Sequence, residues 1–164
     1  MADEALSQKG GHSRSRGVSL VELMVVVAIA AVLAVVAAPA FQELIVSQRV
    51  RSVASALQDS LRLARSEAIK RNRAVAFTIN EADLSWAVTL ADDATTVLRR
   101  EGATSGVSVK IVAGTGQLEY NSQGRLAAGG LATQLELEGP GGVGTRCIRF
   151  DNAARAQTTK GACA

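Results

Sequence analysis

Nineteen consecutive apolar residues, Leu23 to Phe41, follow directly on a single acidic one, Glu22. As a helix rising ~1.5 Å per residue, such a run spans roughly 28 Å, against the ~30 Å hydrocarbon core of a bilayer. The run carries no charge, and Lys9, Arg14 and Arg16 precede it. The positive-inside rule then keeps the N-terminus cytoplasmic and sends the rest of the chain across, as a single-pass membrane protein. Glu22 stands out. A carboxylate within a membrane segment costs about 2.5–3.5 kcal/mol on insertion scales and tends to be functional. Two simpler readings fit less well. A secretory signal cleaved at Ala38-Pro39-Ala40, leaving a protein that starts at Phe41, has an apolar region of only ~7–15 residues and no use for Glu22. A plain anchor explains the length but not the carboxylate.

Glu22 also closes the segment Gly17-Val18-Ser19-Leu20-Val21-Glu22, where a short charged leader ends in one glycine and the carboxylate follows five residues later. This segment resembles the processing site of type IV prepilins, the subunits of pili and of pilus-like secretion machines. The resemblance implies cleavage by prepilin peptidase between Gly17 and Val18 and N-methylation of the new amine. It also implies a filament contact in which Glu22 neutralises the Val18 amine of a neighbouring subunit. Val18 departs mildly from the aromatic or larger apolar residue usual there. The implied location is the bacterial inner membrane with the later domain in the periplasm, and the implied partners are other pilins or pseudopilins.

Past the anchor, Val46, Val50, Val53, Leu57, Leu61, Ala64 and Ala68 recur at intervals of three and four, the stripe of an amphipathic helix. Pro39 is expected to kink the helix rather than end it, because the pattern resumes beyond it. One long helix over roughly 20–70 results. From Ala74 the period changes, and seven short β-prone segments follow at 74–79, 86–90, 96–100, 107–112, 117–120, 134–137 and 145–150. Turn residues separate them, including Asp92-Asp93 and the glycines of 139–144. With no helix between them the strands are expected to be mostly antiparallel. The fold class is α+β: one helix packed on one or two antiparallel sheets, with no internal repeat. The organisation is a leader at 1–17, a membrane half of the helix at 18–41, an amphipathic half at 42–72 and a β domain at 73–164. The match of Gly139 to Gly144 to a GxGxxG pattern is a lure, since a strand rather than a helix follows it.

At 3% aromatic residues, the core must come mainly from Val, Leu, Ile and Ala. The net charge of +3 is small and local. Residues 42–73 hold seven Lys/Arg against three acids, and residues 146–164 hold four against Asp151 alone. Such clusters meet phosphates or anionic headgroups, or form a solvated face; the solvated face is the default. The two cysteines, Cys147 and Cys163, are expected to pair in an oxidising compartment. A loop of about 15 residues closed in this way stabilises by ~3 kcal/mol in the chain-entropy model. Their spacing is not CxxC and the single histidine, His12, lies in the leader, so no metal or other cofactor is expected.

Two further segments narrow the resemblance. The run from Leu61 to Arg71 looks like the helix end of the GspH/FimT group, which contains the H pseudopilin of type II secretion and related minor pilins. Tyr120-Asn121-Ser122-Gln123-Gly124-Arg125 is similar to that group's aromatic–turn–Gly-Arg segment. Read from the residues alone, these are structural: Ala64 and Ala68 permit close packing, Glu67 and Arg71 form an i,i+4 pair worth ~0.3–0.5 kcal/mol, and Gly124 supplies a positive φ. DNA-uptake members of the group carry a Gly-Arg-x-Arg motif. Here Ala154 replaces its glycine, Arg155 matches, and Gln157 replaces its second arginine.

The function expected first is therefore a structural one: a minor pilin or pseudopilin of a type II secretion filament or a type IV pilus. The alternative is capture of extracellular DNA through Arg149, Arg155 and Lys160 by sequence-independent phosphate contacts. An enzyme is not expected: past the leader there is no histidine, and no nucleophile–base arrangement is recognisable.

Overall fold

The computed structural model describes residues 18–102, 106–128 and 130–164. The chain divides after Pro39 into two units. Both are entered by one 52-residue helix, α1, Leu20–Arg71, with Pro39 inside it. Its start is a capped one. The Ser19 hydroxyl accepts from the Glu22 N–H at 3.1 Å, and the Leu23 N–H donates to the Ser19 carbonyl at 3.1 Å. Ser19 thus occupies the N-cap position, its hydroxyl accepting from the N–H at N3, a local signal that the periodicity argument passed over. At the other end Asn72 takes a positive φ of 51°. The Arg73 N–H reaches the Ala68 carbonyl and the Asn72 N–H the Ile69 carbonyl. This is a Schellman close with asparagine in the left-handed position.

In the first unit every described residue is exposed. The second unit, Ala40–Ala164, contains all of the core. Its helical face buries Val50, Val53, Ala54, Leu57, Ser60, Leu61, Ala64 and Ala68. That is the expected stripe with Ala54 and Ser60 added and Val46 half-buried. Each large aliphatic buried in full stabilises by about 1.5–3 kcal/mol relative to exposure.

The strands are β1 Val75–Asn80, β2 Ser85–Leu90, β3 Val97–Glu101, β4 Ser108–Ala113, β5 Gln117–Tyr120, β6 Gln134–Glu138, β7 Arg146–Phe150 and β8 Ala156–Lys160. They form two four-stranded sheets, ordered β3-β2-β1-β5 and β4-β6-β7-β8, in which every pairing is antiparallel. The α+β class and all seven expected strands stand, with boundaries moved by about one residue. The eighth, β8, was missed: its sequence Ala-Gln-Thr-Thr-Lys buries only Ala156, so hydrophobic alternation could not reveal it.

Alternate residues of each sheet face α1. Val75, Phe77, Ile79, Trp86, Val88, Leu118 and Tyr120 come from the first sheet, and Val109, Leu135, Leu137 and Ile148 from the second. The scarce aromatics are concentrated here. The Trp86 indole N–H donates to the buried Ser60 hydroxyl at 2.9 Å, which satisfies both polar groups inside the core. The Ile111 N–H of β4 donates to a carboxylate oxygen of Glu81, in the β1–β2 turn, at 2.6 Å and so ties the second sheet to the first.

The glycine-rich stretch 139–144 joins β6 to β7 through a short 3-10 turn, Pro140–Gly142. Its role is close packing: a Cβ on Gly144 would lie 2.8 Å from the Ser47 Cα of the helix backbone. Cys147, fully buried in β7, is disulfide-bonded to Cys163 with Cα atoms 5.0 Å apart. The Cys163 N–H also donates to the Glu136 carboxylate of β6 at 2.7 Å.

Candidate functional site

Two regions bear on function. At the N-terminus Gly17 lies outside the described residues. Val18 is 68% exposed, and Glu22 projects from the first turn of α1 on an exposed position. A carboxylate there is favoured by the positive end of the helix dipole, so Glu22 has a local structural role besides any intermolecular one. The apolar residues that follow have none of their side chains buried; Val26, Val32 and Leu33 are each more than half exposed. Surface of this kind is stable only against lipid or other helices.

The second region holds the three cations of the DNA-capture alternative, and the fold distributes them. Arg149 lies on β7 in register with Gln134 and Gln157. Its Nε is buried without a hydrogen-bond partner among the described residues. Arg155 sits in the β7–β8 turn, where its Nε donates to Asp151 at 2.8 Å. Lys160 is at the far end of β8 opposite Arg146, about 16 Å of extended chain from Arg155 at ~3.3 Å per residue.

The turn carrying Arg155 has a counterpart that the sequence reading missed. In the segment after β5, the Asn121 N–H donates to the Arg125 carbonyl, and the Asn121 carbonyl accepts from Gly124. The Asn121 side-chain oxygen accepts from the N–H groups of Gln123 and Arg125 at 3.0 Å each. In the segment after β7, the Asp151 N–H donates to the Arg155 carbonyl, and its carbonyl accepts from Ala154. The Asp151 Oδ1 accepts from Ala153 and Arg155 at 2.9 Å each. The fourth residue of each turn is left-handed, Gly124 at φ 71° and Ala154 at φ 59°. The shared pattern is aromatic–Asn/Asp–x–x–Gly/Ala–Arg, legible at 120–125 and 150–155 once those six-residue windows are laid over each other. Ala154 therefore keeps the backbone that a glycine would adopt without strain, at a cost of roughly 1–2 kcal/mol for a left-handed L-residue.

The turns differ at one atom, and electrostatics follow from it. The second carboxylate oxygen of Asp151 holds Arg155 and Gln157. Donation from the Arg155 backbone N–H, aided by its side chain and Ala153, keeps the Asp151 carboxyl below its usual value against an opposing desolvation. Asn121 has an amide in that place, so it offers Arg125 no carboxylate. The turns meet where the Tyr120 hydroxyl donates to the Ala154 carbonyl at 3.3 Å. Burial pushes that phenol up to about 12, with Arg65 opposing and Asp151 adding to the shift, so it stays a neutral donor. Arg65, half-buried on α1, lines the cavities on both sides of this contact, one with Gln58, Arg62 and Arg155, the other with Gln123, Arg125 and Asn152. The Glu67–Arg71 pair expected on the same helix forms at 2.6 Å, joined by Lys70 at 3.8 Å. Among the described residues no group of three His, Cys, Asp or Glu side chains is placed to hold a metal ion.

Comparison with known proteins places these features in context. The family model for the type II transport protein GspH matches residues 53–154, and the model for the prokaryotic N-terminal methylation motif matches residues 12–38. A search of the curated proteins returns no significant match. Among solved structures, the chain is similar to the type IV minor pilin FimU of Pseudomonas aeruginosa, with a TM-score of 0.59 at 20% identity over 68% of this chain and 89% of that one. It is similar also to the minor pseudopilin EpsH from the Type 2 Secretion System of Vibrio cholerae, with a TM-score of 0.55 at 13% identity over 68% and 97%. At these identities the structural likeness establishes the fold.

Proposed function

The chain belongs to the family of the type II transport protein GspH, whose members are structural subunits, and we propose that it is a minor pilin-like subunit of a membrane-anchored filament. In this reading prepilin peptidase cleaves between Gly17 and Val18, the first half of α1 anchors the subunit in the inner membrane, and the β domain lies in the periplasm. The subunit then leaves the bilayer by packing its anchor among the helices of other pilins or pseudopilins, in a type II secretion pseudopilus or a type IV pilus. The observation that carries the reading is the division of labour within α1. None of its early apolar residues is buried, while its later half builds the core of a unit of its own. The methylation-motif match at 12–38 supports the processing step.

Mechanistically, the new Val18 amine is a cation with no protein acceptor inside a bilayer, and Glu22 is an anion in the same layer. Pairing them between subunits removes two unpaired charges at once, which makes entry into the filament favourable and fixes the register. Glu22→Ala and Glu22→Gln test this role, and the second is the sharper, because glutamine keeps the length and hydrogen bonding of the side chain but not its charge. With cysteine cross-linking to co-expressed pilins in whole membranes, both variants should insert and neither should cross-link. Normal cross-linking of Glu22→Gln would sink the charge-pairing step.

The DNA-capture alternative requires Arg149, Arg155 and Lys160 to act together. The Asp151–Arg155 pair and the length of β8 weigh toward the filament reading. Retention of duplex DNA that weakens with salt, and loses slope in Arg155→Ala, would favour the alternative.

A further inference from the structure

Five arginines of the described chain make ion pairs: Arg62 with Asp59, Arg71 with Glu67, Arg73 with Asp92, Arg99 with Glu101 and Arg155 with Asp151. Arg65 and Arg125 make none among the described residues, yet they line one cavity of about 500 Å³. Arg65 also has no hydrogen-bond partner there, although it is half-buried and a guanidinium carries five donor hydrogens in a planar fork. The rest of the lining is mixed. Gln123 and Asn152 are polar, and Leu126 and Leu131 are apolar, with Leu131 45% exposed. Gly124 leaves room for the fork, since a Cβ on it would lie 3.1 Å from the Arg65 Nε.

We propose that this cavity receives a carboxylate side chain presented by a neighbouring filament subunit, with Arg65 and Arg125 as its ligands. A guanidinium fork fits the two oxygens of a carboxylate, and the second cation in the lining adds to the pull on an anion. The leucines fit the apolar stem of that acid or an apolar residue beside it. A nucleic acid is the weaker occupant. A duplex presents regularly spaced phosphates to an open row of cations, whereas this site has two cations with apolar residues between its walls. The twin turns explain the selectivity for an outside anion: Asp151 satisfies the arginine of its own turn, and Asn121 leaves that of the other turn to be satisfied by a partner. The inference rests on the filament-subunit reading for the identity of the partner, but the site is read in a single subunit, so either can fail alone.

The test is a backbone-amide NMR titration of the full chain in zwitterionic micelles with N-acetyl-glutamate amide as the probe. Sodium chloride at matched ionic strength is the control. Saturable shifts are expected at Gly124, Arg125, Ala153 and Ala154, with half-saturation on the order of millimolar for so small a ligand. Arg65→Gln should weaken binding at least tenfold, Arg65→Lys should fall between, and Lys110→Gln, at an exposed position of β4 outside the cavity, should bind as the parent does. If Arg65→Gln loses spectral dispersion, the exposed Arg125→Gln carries the comparison. Shifts that stay linear, or that chloride reproduces, overturn the proposal, as does saturation unaffected by both arginine variants. Saturation of the same amides by a twelve-base-pair duplex at lower concentration than the acid would reassign the site to nucleic acid.

Discussion

The twin turns allow a paired exchange whose outcomes differ in size for reasons visible in the structure. Gly124→Ala puts an L-residue at φ 71°, which costs about 1–2 kcal/mol. The new Cβ would lie 2.7 Å from the Ile69 Cδ1 and 3.1 Å from the Arg65 Nε. Both are far parts of side chains, and Ile69 is 51% exposed, so they move aside for less than the ~1–3 kcal/mol of a rigid overpacked site. The alanine also lowers the entropy of the unfolded chain, returning about 0.4–1 kcal/mol. The net expectation is a loss of about 1–2 kcal/mol. Ala154→Gly runs the other way. It relieves the left-handed strain of about 1–2 kcal/mol but forfeits about 0.4–1 kcal/mol in unfolded-state entropy and about 0.8 kcal/mol for one buried methyl. Those terms leave it within about 1 kcal/mol of neutral. Urea unfolding of the full chain in micelles, with the disulfide intact and slopes held in common, reads both numbers. A neutral Gly124→Ala together with an Ala154→Gly that stabilises by more than about 2 kcal/mol would refute the equivalence of the two turns and the packing argument with it.

Three other outcomes follow from the same structure. Ser60→Ala strands the Trp86 indole N–H in the core and should cost about 1–3 kcal/mol, whereas the double variant Ser60→Ala/Trp86→Phe should recover part of that loss; urea midpoints check both. Acid should destabilise the β domain. Hydrogen bonds hold Asp151, Asp92 and Asp83 below the ordinary carboxylate value, and Asp93 falls to about 2 through Thr95 and Thr96. Their stabilisation is full above the unfolded value and is lost as pH falls through the lower folded values. Melting temperature between pH 5 and pH 2 should therefore drop, and less steeply in Asp151→Asn, whose amide oxygen can keep the turn as Asn121 does. Cys163→Ser, or reduction of the parent, should cost about 3 kcal/mol for a loop of this size, measured by thermal melts with and without reductant.

How much of this was legible in the sequence depended on which physics wrote each element. The anchor, the amphipathic stripe and seven strands rest on solvent partition, and partition leaves a period that can be read along the chain. Strand β8 does not: its place is fixed by pairing with β7 across the 151–155 turn, and Thr158 and Thr159 carry no period-two signal. Cys147 and Cys163 were legible as a pair from their number and compartment. The arginines were legible as charge but not as a site. Arg149, Arg155 and Lys160 are neighbours in sequence, yet the turn commits one to Asp151 and the strand carries another away. Arg65 and Arg125, sixty residues apart, line one cavity because a Schellman close returns the chain onto α1 and the sheets bring both turns to its side. The six-residue likeness between 120–125 and 150–155 was present in the letters. It was hidden because Asn/Asp and Gly/Ala are interchangeable here only for backbone reasons.

The Cys147–Cys163 bridge has a consequence for neighbours as well as for stability. Strand β8 lies at a sheet edge and pairs only with β7, the arrangement from which one subunit can lend a strand to the next. Residues 161–163 cross back over β7, bonded to it through Cys147, and reach Glu136 on β6. Peeling β8 away would require breaking a covalent loop rather than a ladder of hydrogen bonds. Where many subunits of similar architecture lie side by side, the bridge makes β8 the property of one chain, so that exchange of that strand between subunits is closed off.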